Sequence, residues 1–309
     1  MGPVARPARA RAARGLRAVR GGALIEVVHV AGLVTVQDSG RPGYGRWGVS
    51  PSGAADRSSH LLGARLVGND GCAATLELTL GEVTLVAHER HIVAVTGAPA
   101  PITLDGAPMP SLRPLVLQPG HELRVGRATH GLRTYVSVAG GVDVPRILGS
   151  RSTDTLSGIG PPRPQVGDVL AVGAPTGRPV WDVDLPAEPH LGLAGSLAVR
   201  PGPRADWFEP QALRVLTGSD YEVTPDSNRV GARLHGPALV RRVSRELPPE
   251  GIVRGAVQVP AGGEPLVFLA DHPVTGGYPV IGVLAPSDVD RLAQRRPGDV
   301  VRFRLVTGG

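Results

Sequence analysis

Residues 75–96 read Thr75-Leu76-Glu77-Leu78-Thr79-Leu80-Gly81-Glu82-Val83-Thr84-Leu85-Val86-Ala87-His88-Glu89-Arg90-His91-Ile92-Val93-Ala94-Val95-Thr96. Three short apolar runs, Leu76–Leu80, Val83–Val86 and Ile92–Thr96, are parted by a Gly and by a polar turn, the pattern of strands joined by tight connections. Glu77 lies between Leu76 and Leu78 and so faces the opposite side of its strand, which the alternation assigns to the polar face. The same style extends both ways: Leu24–Val30 and Leu33–Val36 before it, Leu115–Leu117, Glu122–Val125 and Arg133–Val138 after it. It resumes at Leu197–Arg200, Leu213–Leu216, Ile252–Val259, Pro265–Leu269, Pro279–Leu284 and Val300–Leu305. The 43 Gly and 31 Pro of the 309 residues fall between these runs, as turns rather than as low-complexity sequence. The expectation is a mainly β protein of sandwich or barrel type with few helices.

Three segments, Gln118-Pro119-Gly120-His121-Glu122, Val166-Gly167-Asp168-Val169 and Arg296-Pro297-Gly298-Asp299-Val300, each set a Gly-polar turn before a strand. Helices are predicted in two places. One is capped by Ser52 and runs from about Ala54 to Val67; the other starts at Ser287 with Asp290 three residues on. The expected organisation is a basic, disordered extension over residues 1–22, a first domain over 23–175, a linker over 176–196 and a second domain over 197–309.

The charge narrows the function. Every basic residue other than His is Arg, and the formal +6 resides in Arg6, Arg9, Arg11, Arg14, Arg17 and Arg20 of the extension. The remaining body is balanced, with no hint of the basic face of a nucleic-acid binder. No run approaches the ~20 apolar residues of a membrane span, and a single Cys72 supports no disulfide framework. The default reading is cytoplasmic. Without Lys there is no Walker A motif, no Schiff base and no covalent biotin on this chain. His88 and His91 lie between strands without a third ligand, so no metal site is expected.

Three stretches carry chemistry-bearing residues. The first, Gln37 to Gly53, holds Arg41, Gly43, Tyr44, Arg46, Ser52 and Gly53 ahead of a predicted helix N-terminus, a setting suited to a carboxylate or phosphate. A tightly turned surface loop would use the same glycines. The second is Asp271-His272-Pro273-Val274-Thr275-Gly276-Gly277-Tyr278-Pro279. Asp271 and His272 suit acid–base work, and Thr275, Gly276 and Gly277 suit an anion; a hairpin loop is the bland alternative. Glu246 and Gln258 are polar residues beside apolar strands and would face the same cavity. The third, Ser150-Arg151-Ser152, is a further anion loop or a solvated turn.

Taken together, Gly40-Arg41-Pro42-Gly43, Pro51-Ser52-Gly53-Ala54, Leu76-Glu77, Val95-Thr96-Gly97-Ala98, Gly149-Ser150-Arg151-Ser152-Thr153-Asp154, Gly255-Ala256-Val257-Gln258-Val259-Pro260 and Asp271-His272 to Tyr278-Pro279 closely resemble the biotin-dependent carboxyltransferase-like family. That family includes KipA-like proteins, the second allophanate hydrolase subunit and the C subunit of 5-oxoprolinase, and the likeness covers about residues 24–307. Where relatives often read Ser-Asp-Arg, this chain has Ser227-Asn228-Arg229. The resemblance implies two cyclophilin-like β-barrel domains and association with the KipI-like B subunit and the A subunit of 5-oxoprolinase. It implies ATP-dependent opening of 5-oxoproline to glutamate, with ATP held at an interface or on a partner. On that reading Arg41 and Arg46 hold the substrate anion, Asp271 orients His272, and His272 moves a proton. A urea carboxylase-type carboxyltransferase component and a non-catalytic protein binding a KipI-like kinase inhibitor are the alternatives.

Overall fold

The computed structural model describes residues 23–182 and 192–306. The expected basic extension, part of the expected linker and the last three residues lie outside them. The chain is mainly β, with two curled sheets and three short helices, α1 (Arg57–Leu66), α2 (Ala212–Gly218) and α3 (Pro286–Ala293). The first sheet draws nine strands from Ala23–Gln37 to Val169–Val172 and curls into a half-barrel. The second draws eight strands from Leu197–Pro201 to Phe303–Leu305. Its two edges, Val300–Val301 and Phe303–Leu305, are separated by Arg302 alone, so one pass of chain nearly closes it into a barrel.

The strand Thr75–Ala87 organises the first sheet, pairing with Ala23–Gln37, Glu122–Val125 and Arg133–Val138. Leu76 and Leu78 enter the aliphatic core with Val93, Val136 and Leu123. Where this strand bends at Leu80-Gly81, Gly32 takes φ +72, and a Cβ there would lie 2.8 Å from the Leu80 carbonyl oxygen. The three repeated turns share one chemistry: Gly120, Gly167 and Gly298 all adopt φ near +85 to +90 and precede strands. In two of them the Asp that follows, Asp168 or Asp299, accepts the amide three residues back at 2.8 Å.

Three local expectations are corrected. Leu213–Leu216 is helical, within α2, because a four-residue apolar run carries no period that separates strand from helix. The cap of α1 is Asp56, which accepts the Ser59 amide; Ser52 is turned away with φ +51. Glu77 is fully buried, because the outer face of its strand is covered by the loop before α1, through Ala55, and by Arg229 instead of water. Residues on the second side of the expected linker boundary also pack: Val180 donates its amide to Leu66 at the end of α1.

Buried charged groups join the two halves. Arg229 of the second domain, 1% exposed, donates to Glu77 of the first and clasps Asp271 at 2.9 and 3.0 Å. It also reaches the Gly53 carbonyl at 2.6 Å. Glu77 further accepts from the Ala55 amide and the Tyr135 hydroxyl, both at 2.9 Å, and lies 3.5 Å from Arg133. Gln294 spans the same seam, donating to Asp56 and accepting from the Leu132 and Arg133 amides. Among the described residues no helix is long and apolar enough to cross a membrane.

Burial pushes the Glu77 and Asp271 carboxyls up, but their partners together outweigh it and hold both below the usual range: Arg229 first at each, with Arg133 and the Ala55 amide at Glu77 and Ser52 and the Thr155 amide at Asp271. Their contribution to stability is therefore complete above the ordinary carboxylate pKa and is lost as pH falls through it toward the depressed values. Chemical denaturation should show wild-type stability declining below about pH 4. Arg229→Met should cost about 3–5 kcal/mol at pH 7, since it strands two buried carboxylates, and should flatten that acid limb. A loss under 1 kcal/mol would show that the seam relies on packing instead.

Candidate functional site

An open cleft of about 300 Å³ lies between the domains. The loop Arg41–Gly45 with Val49 and Pro51 forms one wall, and Ile252–Arg254 with His272 and Val274 forms the other. Two of the three stretches singled out in sequence thus meet here. The loop is tied back by the Arg41 amide to the Pro51 carbonyl at 2.7 Å.

Arg41 is 1% exposed, and its Nη2 donates to the Ser152 carbonyl. Its Nε and Nη1 have no partner among the described residues. Burial lowers its pKa, while Asp154, Asp38 and Asp271 act in the opposite direction. A guanidinium built into the wall with donors unused is suited to a carboxylate or phosphoryl oxygen. Arg254, which belongs to none of the three stretches, stands opposite. It donates to Asp290 at 2.6 Å and to the Ala55 carbonyl at 2.7 Å, with Nε unpartnered. An Arg inside the apolar run Ile252–Val259 was its one signal in the sequence.

His272 is buried, with Nδ1 2.8 Å from the Pro273 carbonyl. That contact requires a proton on Nδ1 and leaves Nε2 as the free acceptor. Burial lowers the imidazole pKa; the Pro273 bond opposes this, and Arg254 and Arg57 lower it further. These effects favour the neutral imidazole. Asp271 does not orient it, contrary to the expectation. Besides Arg229, the Asp271 oxygens accept from Ser52 Oγ at 2.6 Å and from the Thr155 amide and hydroxyl at 2.9 and 2.7 Å, which leaves nothing for the imidazole.

Other candidates fall elsewhere. Arg46 is exposed and stacks 3.8 Å above the Trp47 ring, whose own neighbour is Tyr44 at 5.5 Å. Gly53 serves the seam: its φ is +96, and a Cβ would meet the Gly40 amide at 2.9 Å. Thr275 and Gly276 form a two-residue ladder with Glu250–Gly251 instead of an anion nest. Gly277 and Tyr278 are exposed, and buried Gln258 braces the Tyr278 carbonyl at 2.9 Å. Glu246 is exposed and does not line the cleft.

The Ser150-Arg151-Ser152 loop is an anion site, and the chain fills it with its own anion. Asp38 accepts from Ser150 Oγ, Ser152 Oγ and the Arg151 amide, each at 2.6 Å, and from the Gly40 amide at 2.8 Å. Arg151 itself pairs with Asp143. The N-terminus of α1 is occupied in the same way, since Asp290 accepts the Arg57 and Ser58 amides at 3.1 Å. Among the described residues no cluster of three His, Cys, Asp or Glu could hold a metal.

Known proteins share this architecture. Residues 47–305 match the model of the carboxyltransferase domain, subdomain A and B. The chain is 35% identical to the C subunit of 5-oxoprolinase from Escherichia coli over 91% of its own length and 90% of that protein's. It is 33% identical to urea amidolyase of Saccharomyces cerevisiae over 90% of its length, spanning 16% of that much longer chain. In structure it superposes on Kluyveromyces lactis urea amidolyase with a TM-score of 0.85 at 30% identity, covering 93% of this chain and 19% of that one. The chain belongs to the carboxyltransferase subdomain A and B family.

Proposed function

We propose that this chain is the C subunit of an ATP-dependent 5-oxoprolinase, working with a KipI-like B subunit and with the A subunit. The observation that supports this most is the end-to-end match with the C subunit of 5-oxoprolinase, which leaves little of either chain unpaired. In the overall reaction two waters are consumed: one adds across the lactam C–N bond, and the other is taken up as ATP becomes ADP and phosphate. Phosphorylating the lactam oxygen turns an inert amide into a good electrophile.

This chain's part follows from the cleft. The Nε–H and Nη1–H of Arg41 hold the substrate carboxylate, and His272 Nε2 accepts a proton from the attacking water. Arg254 faces the charge that develops on the opposite wall. An anion is what the unused donors fit; ATP is assigned to the partner surface, where it meets this cleft. The likeness to urea amidolyase favours a second reading, a carboxyltransferase component served by a biotin carrier on another chain.

The deciding assay is 5-oxoproline-dependent release of glutamate and ADP by the chain alone and with both partner proteins. Turnover only in the full set is expected. Intact complexes without turnover would remove the 5-oxoprolinase reading, and carboxyl transfer from biotin would be tested next; silence there too leaves the non-catalytic KipA-like role.

The variants separate chemistry from structure. His272→Gln should lower kcat about 10²–10⁴-fold with folding intact. Arg41→Met should raise KM by about 10- to 100-fold, the worth of a charge-assisted bond. Asp271→Asn should instead lower the melting temperature. Because the His272 pKa is depressed, kcat/KM should climb with pH below 6.5 and be level at neutrality, with that limb absent in His272→Gln.

A further inference from the structure

A second cavity, of about 200 Å³, opens in the seam away from the cleft just described and shares none of its lining residues. Its walls are largely aliphatic, with Leu80 and Leu132 from the first domain and Val223, Leu269 and Leu292 from the second. Set among them are polar atoms with nothing to bond. Arg133 Nε, Arg295 Nε and Thr79 Oγ1 are all buried and without a hydrogen-bond partner among the described residues.

Arg133 is 1% exposed. Its Nη1 donates to the Ala293 carbonyl, while Nε stays 3.5 Å from Glu77, attracted but not hydrogen-bonded. Arg295 gives Nη2 to the Leu193 carbonyl and forms no ion pair among the described residues. Leu80 in the cavity wall is held at φ +44, a conformation unfavourable for a leucine.

Water serves such a space poorly, since the leucines offer it no bonds and it brings no charge to the guanidinium groups. An apolar ligand would leave the donors unpaired. A small acid with a short aliphatic body answers both walls. Its carboxylate accepts from the Arg Nε–H groups and the Thr79 hydroxyl, and its carbon chain lies on the leucines. The volume is that of about six or seven waters, which limits the acid to a small one. We infer that the seam cavity is a binding site for a small aliphatic carboxylate, distinct from the Arg41–His272 cleft. Arg229 also lines this cavity, so the occupant adjoins the ion pairs that fix Asp271 beside His272.

The test is calorimetric titration of the full chain with 4-methylpentanoate, using 4-methylpentanamide as the neutral control. The acid should bind saturably at one site, at least about tenfold tighter than the amide. Thr79→Val should weaken it by about fivefold. Ala232→Met, which projects into the cavity, should abolish binding, and Arg41→Met should leave it unchanged. No saturable heat, equal affinity for acid and amide, or loss of binding in Arg41→Met would each overturn the inference. Should Ala232→Met fail to fold, the near-isosteric Thr79→Val still decides.

Discussion

A guanidinium with no access to water holds this molecule together. Arg229 is buried between Glu77 and Asp271, and removing it would leave both carboxylates without their counter-charge in a low-dielectric interior. The neighbours are arranged around that fact. Ser52, Gly53 and Thr155 complete the hydrogen bonding of the trio, and Tyr135 and the Ala55 amide complete that of Glu77. Since His272 directly follows Asp271 in the chain, the clasp that locks the domains also fixes one wall of the cleft. Position is what Asp271 contributes: its oxygens are taken up by Arg229, Ser52 and Thr155, and it holds His272 in that wall.

The difference between a potential ligand site and a usable one lies in what remains unpaired. This chain builds an anion loop at Ser150–Ser152 and a helix N-terminus at Arg57, and then spends both on its own carboxylates, Asp38 and Asp290. That internal use gives a Gly-rich loop, which has little side-chain packing of its own, a defined shape. Arg41 is different: Ser152 holds one of its nitrogens, and the other two have no partner among the described residues.

Local rules explain which features could be seen in advance. Alternation and glycine turns are set within a few residues, so most strands and all three repeated turns were legible. Leu213–Leu216 was not, being too short to show a period. The resemblance in Arg41-Pro42-Gly43 and Asp271-His272 marked the two walls of the cleft without saying what each residue does there. Glu77, Ser52 and Asp271 defeated residue-level reading because their partners lie 152 and 219 positions away in the chain. A carboxylate in a strand looks solvated until the surface packed over it is known.

Each sheet joins its first strand to its last: Ala23–Glu26 lies against Val169–Val172, and Leu197–Val199 runs parallel to Phe303–Leu305. Entry and exit of each domain are therefore side by side, and each can be carried in a longer polypeptide as a cassette whose insertion requires no threading. Both cassettes recur together in urea amidolyase of Saccharomyces cerevisiae, where the match spans 16% of the chain.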